Sequence, residues 1–133
     1  MDINKQKKLL LGYDDFRAFI ENGGYFVDKS LLLKELMDIP HQVTLITRPG
    51  RFGKTLNLSM LRYFWELPAC RVNETNLNRD MSHLFRDLAI WGAGESYREQ
   101  QGKYPVIFFS FRGAKQEKWE DTEWSIKNEL ARE

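Results

Sequence analysis

The chain has 133 residues, of which 42% are hydrophobic, 14% aromatic and 29% charged, with a formal net charge of +1. That length and composition suit one globular domain, and a charge so close to zero excludes overall steering toward nucleic acid or an anionic membrane. The lone cysteine, Cys70, excludes an internal disulfide and fits a reducing, cytoplasmic setting, and no apolar stretch approaches the ~18 residues of a membrane span.

Residues 1–12 read as a loose leader ahead of a domain over 13–133. The leader is basic, but its three consecutive leucines, Leu9 to Leu11, are too few for a secretory signal. Asp14 is expected to cap a helix over 15–22, with Phe16, Phe19 and Ile20 on one face and Gly23 as its stop. A short extended piece at Tyr25, Phe26 and Val27 leads to Asp28, the expected cap of a second helix over 29–38. Ser30, Lys34 and Asp38 form the polar stripe of that helix, Leu32, Leu33, Leu36 and Met37 face inward, and Pro40 ends it.

Residues 42–55 carry the most informative pattern. The run Val43-Thr-Leu-Ile-Thr47 reads as a buried strand of the kind found in parallel sheets. It enters a short loop, Arg48, Pro49, Gly50, Arg51, Phe52 and Gly53, and Lys54 and Thr55 then open a helix to about Glu66. Strand, glycine loop and Lys-Thr at a helix start is the context of a phosphate-binding P-loop, the Walker A motif. A helix N-terminus leaves backbone N–H groups without partners and carries partial positive charge, which a phosphate satisfies. Gly50 and Gly53 lack a Cβ, so the backbone can curl and approach an anion. Lys54 would hold the β- and γ-phosphates, Thr55 would turn its hydroxyl to a Mg²⁺ bound with the nucleotide, and Arg48 and Arg51 add two cations.

The same residues also describe a plain strand-to-helix turn with solvated basic side chains. The full pattern asks for glycine where Arg48 stands, and a bare Gly-Lys-Ser/Thr arises by chance about 0.07 times in a chain this long. The helix that follows has one narrow polar stripe, Thr55, Ser59, Arg62 and Glu66, with Leu56, Leu58, Met60, Leu61, Tyr63, Phe64 and Trp65 over the remainder. Such a helix expects packing on several sides.

Residues 68–77 are polar and loop-like, and the Asn73-Glu-Thr acceptor pattern within them is idle in a cytoplasmic chain. Asn78 or Asp80 is expected to start a helix with Leu84, Phe85 and Leu88 inward. His83 has no Cys, His or carboxylate at a metal-ligand spacing and reads as an ordinary surface or core histidine. After a connecting loop over 92–103, Val106 to Phe111 reads as a second strand, and residues 117–133 as a helix with Trp119, Ile126 and Leu130 at matching spacing. The expected fold is therefore α/β: part of a P-loop NTPase domain with a parallel sheet flanked by helices, its two strands joined by a right-handed crossover.

Three blocks carry a family resemblance: Tyr25-Phe-Val-Asp-Lys-Ser-Leu-Leu-Leu-Lys-Glu-Leu-Met, Val43 through Gly53-Lys-Thr-Leu-Asn-Leu-Ser-Met-Leu, and Tyr104-Pro-Val-Ile-Phe-Phe-Ser-Phe. Together they resemble the AAA-ATPase-like family, bacterial and archaeal P-loop proteins whose fuller members carry a C-terminal nuclease-like domain. The similarity runs from about Phe16 to the end of the chain. The resemblance implies ATP as ligand with Mg²⁺, makes Arg48 a family trait, and places the turn over 25–28 near the base. Gly50 departs from the arginine expected at that position.

A P-loop hydrolase also needs an acidic residue at the end of another strand and a group that orients water. No apolar run here ends in Asp or Glu, since Val106 to Phe111 leads into Arg112 and Gly113, and Asp121 and Glu123 lie in a charged helical segment. The chain is therefore expected to be the N-terminal part of a longer protein, binding nucleotide without hydrolysing it unaided, so its standing as an enzyme stays open. One rival is a non-enzymatic interaction module that pairs with itself or a partner through an exposed sheet edge. Another is a nucleic-acid-binding piece built on Arg48, Arg51, Lys54 and Arg62 with Tyr63 and Trp65, against which the near-neutral charge argues.

Overall fold

Apolar spacing, joined at the first helix by a capping carboxylate, decides where the chain turns helical. The computed structural model describes residues 7–39, 42–67, 80–111 and 118–131. Its helices are α1 (Phe16–Glu21), α2 (Leu31–Asp38), α3 (Lys54–Trp65), α4 (Ala89–Gly92), α5 (Glu95–Arg98) and α6 (Trp119–Leu130), with a 3₁₀ turn at Ser82–Leu84 before α4.

The first cap is Asp15, not Asp14. Asp15 Oδ1 accepts the Ala18 N–H at 2.7 Å, satisfying a donor that the first turn leaves open. Its other oxygen accepts the Tyr63 hydroxyl at 2.9 Å and lies 3.4 Å from Ser59 Oγ. Ser59 Oγ in turn accepts the Phe16 N–H at 2.9 Å. One carboxylate thus starts α1 and fixes it to α3, the helix on which it packs. Burial, followed by the hydrogen bond to this carboxylate, pushes the Tyr63 hydroxyl well above its ordinary pKa.

The core is aromatic and lies between α1, α3 and the 3₁₀ turn. Phe16, Phe64 and Phe85 are fully buried, with Phe85 stacked on Phe16 at 5.4 Å between ring centres and edge-on to Phe64 at 5.1 Å. Leu33, Met60 and Ile90 close it from α2, α3 and α4. Ser30, expected in a solvated stripe, is fully buried and accepts the Ile90 N–H at 3.1 Å. Asp28 does not cap α2. It accepts the Ser30 N–H at 2.8 Å and, 61 residues away in sequence, the Ala89 N–H at 2.7 Å, joining the α2 and α4 starts.

The leader is pinned. Lys8 donates its N–H to the Gly23 carbonyl and accepts the Tyr25 N–H, both at 2.8 Å, in an isolated parallel bridge to Gly24. Gly24 is buried, and a Cβ there would run into the Phe19 ring.

The expected parallel sheet does not form, so the α/β assignment is corrected: the described residues are helical, with no strand among them. Pairing is confined to the Lys8 bridge and a second parallel bridge between Glu66 and Tyr104. The run over 43–47 is irregular, with Val43 84% and Leu45 85% exposed. The described part of the second run, 106–111, is likewise outside any ladder, with Ile107 and Phe111 exposed. Apolar β-branched composition favours a strand only where a neighbouring backbone completes its hydrogen bonds, and no described segment lies alongside either run as a ladder. In place of the helix expected to start at Asn78 or Asp80, the described residues from 80 on carry the 3₁₀ turn and then α4, and α5 forms inside the expected loop over 92–103. In α6, Trp119 and Leu130, which stand at matching spacing, are both exposed. Cys70 and the Asn73-Glu-Thr pattern lie outside the described residues.

Candidate functional site

Residues 48–55 form a loop that ends on the N-terminus of the twelve-residue helix α3. Two residues in it are left-handed: Gly53, the N-cap, at φ +71°, and Arg51 at φ +65°. Glycine adopts that region freely, whereas arginine is strained there. Gly53 offers no side-chain cap, so the first N–H groups of α3 receive none from it. A Cβ added at Gly50 or Gly53 would meet no protein atom within 4 Å. Packing within the protein therefore does not require glycine at either position; the left-handed backbone favours it at Gly53, and both leave open space beside the backbone.

Lys54 turns back into the loop. Its Nζ donates to the Arg48 carbonyl at 2.6 Å and the Pro49 carbonyl at 2.9 Å. Two of its three donors are used on neutral oxygens, so its charge is held in place without being cancelled and one donor remains. Arg48 donates to the Thr47 carbonyl at 3.2 Å. Among the described residues no carboxylate pairs with Arg48, Arg51 or Lys54. Phe52 is exposed at the loop's outer face.

Arg51, Gly53, Lys54 and Thr55 line one side of a cleft of about 880 Å³. The opposite side was not foreseen from sequence: it is Leu10, Leu11, Gly12, Tyr13 and Asp14 of the leader, with Phe19 beneath. The signal that places them is the backbone bridge at Lys8, which no local pattern announces. A smaller hollow of about 270 Å³ lies on the loop's other flank, between Phe52 and the turn of Tyr25, Phe26 and Val27. The turn over 25–28, which the resemblance puts near the base, lines this hollow through Tyr25, Phe26 and Val27.

The cations expected to act together separate into two groups. Arg48, Arg51 and Lys54 belong to the loop, whereas Arg62 pairs with the buried Glu66 at 3.2 Å and lies 5.2 Å from the centre of the Phe108 ring. Tyr63 is tied to Asp15. Among the described residues no group of three or more His, Cys, Asp or Glu side chains could hold a metal ion. His83 is exposed, 3.2 Å from the Asp80 carbonyl through Nδ1 and 3.5 Å from Glu21 through Nε2. No described helix is long and apolar enough to cross a membrane.

A strained, glycine-bounded basic loop on the N-terminus of an amphipathic helix, beside an open cleft, has the charge and the open backbone to accept a polyanion. The family model described as Predicted AAA-ATPase matches residues 10–133, and the chain belongs to this AAA-ATPase-like family. No similar curated protein and no similar solved structure was found.

Proposed function

We propose that the chain binds ATP, with Mg²⁺, through residues 48–55, in a cytoplasmic setting. The observation that carries the proposal is the uncancelled Lys54 ammonium, tethered to loop carbonyls at the N-terminus of α3. Lys54 would lie against the β- and γ-phosphates and the first backbone N–H groups of α3 would take phosphate oxygens, with Arg48 and Arg51 adding positive charge. Gly50 and Gly53 leave room for phosphate where a Cβ would otherwise stand. The donor set fits a nucleotide-bound Mg²⁺ only in part. Thr55 supplies one hydroxyl, and the phosphates would supply most of the remaining oxygens. Mg²⁺ would neutralise phosphate charge at this loop.

Calorimetric titration of ATP into the wild type and Lys54→Ala tests the assignment. Losing one charge-assisted phosphate contact costs about 1.5–3 kcal/mol, so affinity is expected to fall roughly ten- to a hundredfold. Equal affinities would remove the P-loop assignment. Phosphate release by the wild type is expected to match that of Lys54→Ala, because no apolar run in this sequence ends in the Asp or Glu that a P-loop hydrolase uses on its metal.

A further inference from the structure

The cleft has two unlike sides. One is cationic, with Arg51, Lys54 and the start of α3. The other is mainly apolar, with Leu10, Leu11 and Tyr13 of the leader above Phe19, and carries Asp14. Leu11 lines the cleft and is 90% exposed, so its apolar side chain stands open among the described residues. Tyr13 is fixed by edge-on contact with Phe19 at 6.0 Å between ring centres. The segment is also anchored at both ends: Lys8 bridges to Gly24, and Asp15 ties the start of α1 to Tyr63 and Ser59 of α3. The wall is therefore held against the same helix that carries the loop.

We propose, resting on the nucleotide reading above, that residues 10–13 form the nucleoside wall of the site, taking a purine base against Tyr13 and Leu11 while the phosphates lie at Lys54. Charge fixes the direction. The cationic side takes the polyphosphate, and the apolar side takes the uncharged, flat part of the same ligand. Asp14, when ionised, only accepts hydrogen bonds. Such a group does not favour a phosphate beside it, which again puts the nucleoside at the leader. Size decides between the two hollows. Small-molecule sites occupy ~300–1,000 Å³. The leader cleft, at about 880 Å³, lies in that range, and the Tyr25–Phe52 hollow, at about 270 Å³, lies below it.

Titration of the full chain with ATP and, separately, with inorganic tripolyphosphate tests the wall. Stacking on an aromatic side chain is worth about 1–3 kcal/mol per base, so Tyr13→Ala is expected to weaken ATP roughly ten- to a hundredfold and to leave tripolyphosphate unchanged. Tyr13→Phe keeps the ring and should keep ATP affinity. Leu11→Ser, at a site too exposed to matter for folding, should repeat the selective loss on a smaller scale and stands in if Tyr13→Ala does not fold. Lys54→Ala should weaken both ligands. Equal losses of ATP and tripolyphosphate in the Tyr13 or Leu11 variant, or no loss of ATP, would overturn the nucleoside wall while leaving the P-loop assignment intact. A selective loss of ATP in Tyr25→Ala instead would move the base to the other hollow and overturn it too. If Lys54→Ala binds both ligands as the wild type does, the nucleotide reading fails and the wall fails with it.

Discussion

At Arg51 the backbone and the charge make opposite demands. The left-handed φ of +65° costs an arginine about 1–2 kcal/mol that asparagine largely avoids through its short polar side chain. Arg51→Asn is therefore expected to hold or raise the thermal midpoint while weakening ATP by a few-fold, since it removes one auxiliary cation at a screened site. A lower midpoint with unchanged ATP affinity would show that the guanidinium serves the fold and not a ligand. Gly53 differs, because its φ of +71° strains a branched side chain, and that side chain would fill the open space proposed for phosphate. Gly53→Val should abolish ATP binding more fully than Arg51→Ala, measured by the same titration on variants shown to be folded by circular dichroism. If the arginine change proves the more damaging, a backbone cradle is not what holds the phosphate.

Among the elements, Asp28 makes the join most open to test. Burial raises the pKa of its carboxyl, but hydrogen bonds from Ser30 and the Ala89 backbone outweigh that effect and hold it below the ordinary 3.8. A carboxyl depressed in the folded state contributes stability that is present above its unfolded pKa and lost as pH falls through the folded one. The link between the α2 and α4 starts should hold at neutral pH and weaken below about pH 3.8. Asp28→Asn should lower the thermal midpoint at pH 7 and flatten its acid dependence in that window. An unchanged acid profile would mean that the carboxylate's charge is not what joins the two helices. The helices themselves were largely legible in sequence. The apolar spacing of α3 predicts an end near Glu66, and the helix runs to Trp65. Partners across the chain were not legible. The fold uses Asp28 as a bridge and buries Ser30, because Ala89 and Ile90 supply N–H groups that no local window contains. The basic side of the cleft was readable as a motif, since its residues are consecutive. The leader side was not, since a backbone bridge 16 residues away sets it.

For the whole molecule, the consequence of the missing sheet is exposed apolar chain. Val43, Leu45, Ile107 and Phe111 belong to two runs whose composition suits buried strands, yet all four are exposed and neither run has a ladder partner among the described residues. Backbone and apolar side chains left open in this way favour edge-to-edge association, and the nearest available partner is the same segment of a second copy. The chain is therefore expected to self-associate, with an apparent mass that rises with concentration in light scattering coupled to size exclusion. Leu45→Lys and Ile107→Lys together should lower that mass toward one chain. Both positions are solvated in the single chain, so the added charge opposes pairing without entering the core around Phe16, Phe64 and Phe85. ATP binding should survive in this double variant, because neither position lines the cleft between the loop and the leader. A wild type that stays at one-chain mass across concentrations would mean that these runs do not pair, and a double variant that still associates would place the contact on another surface.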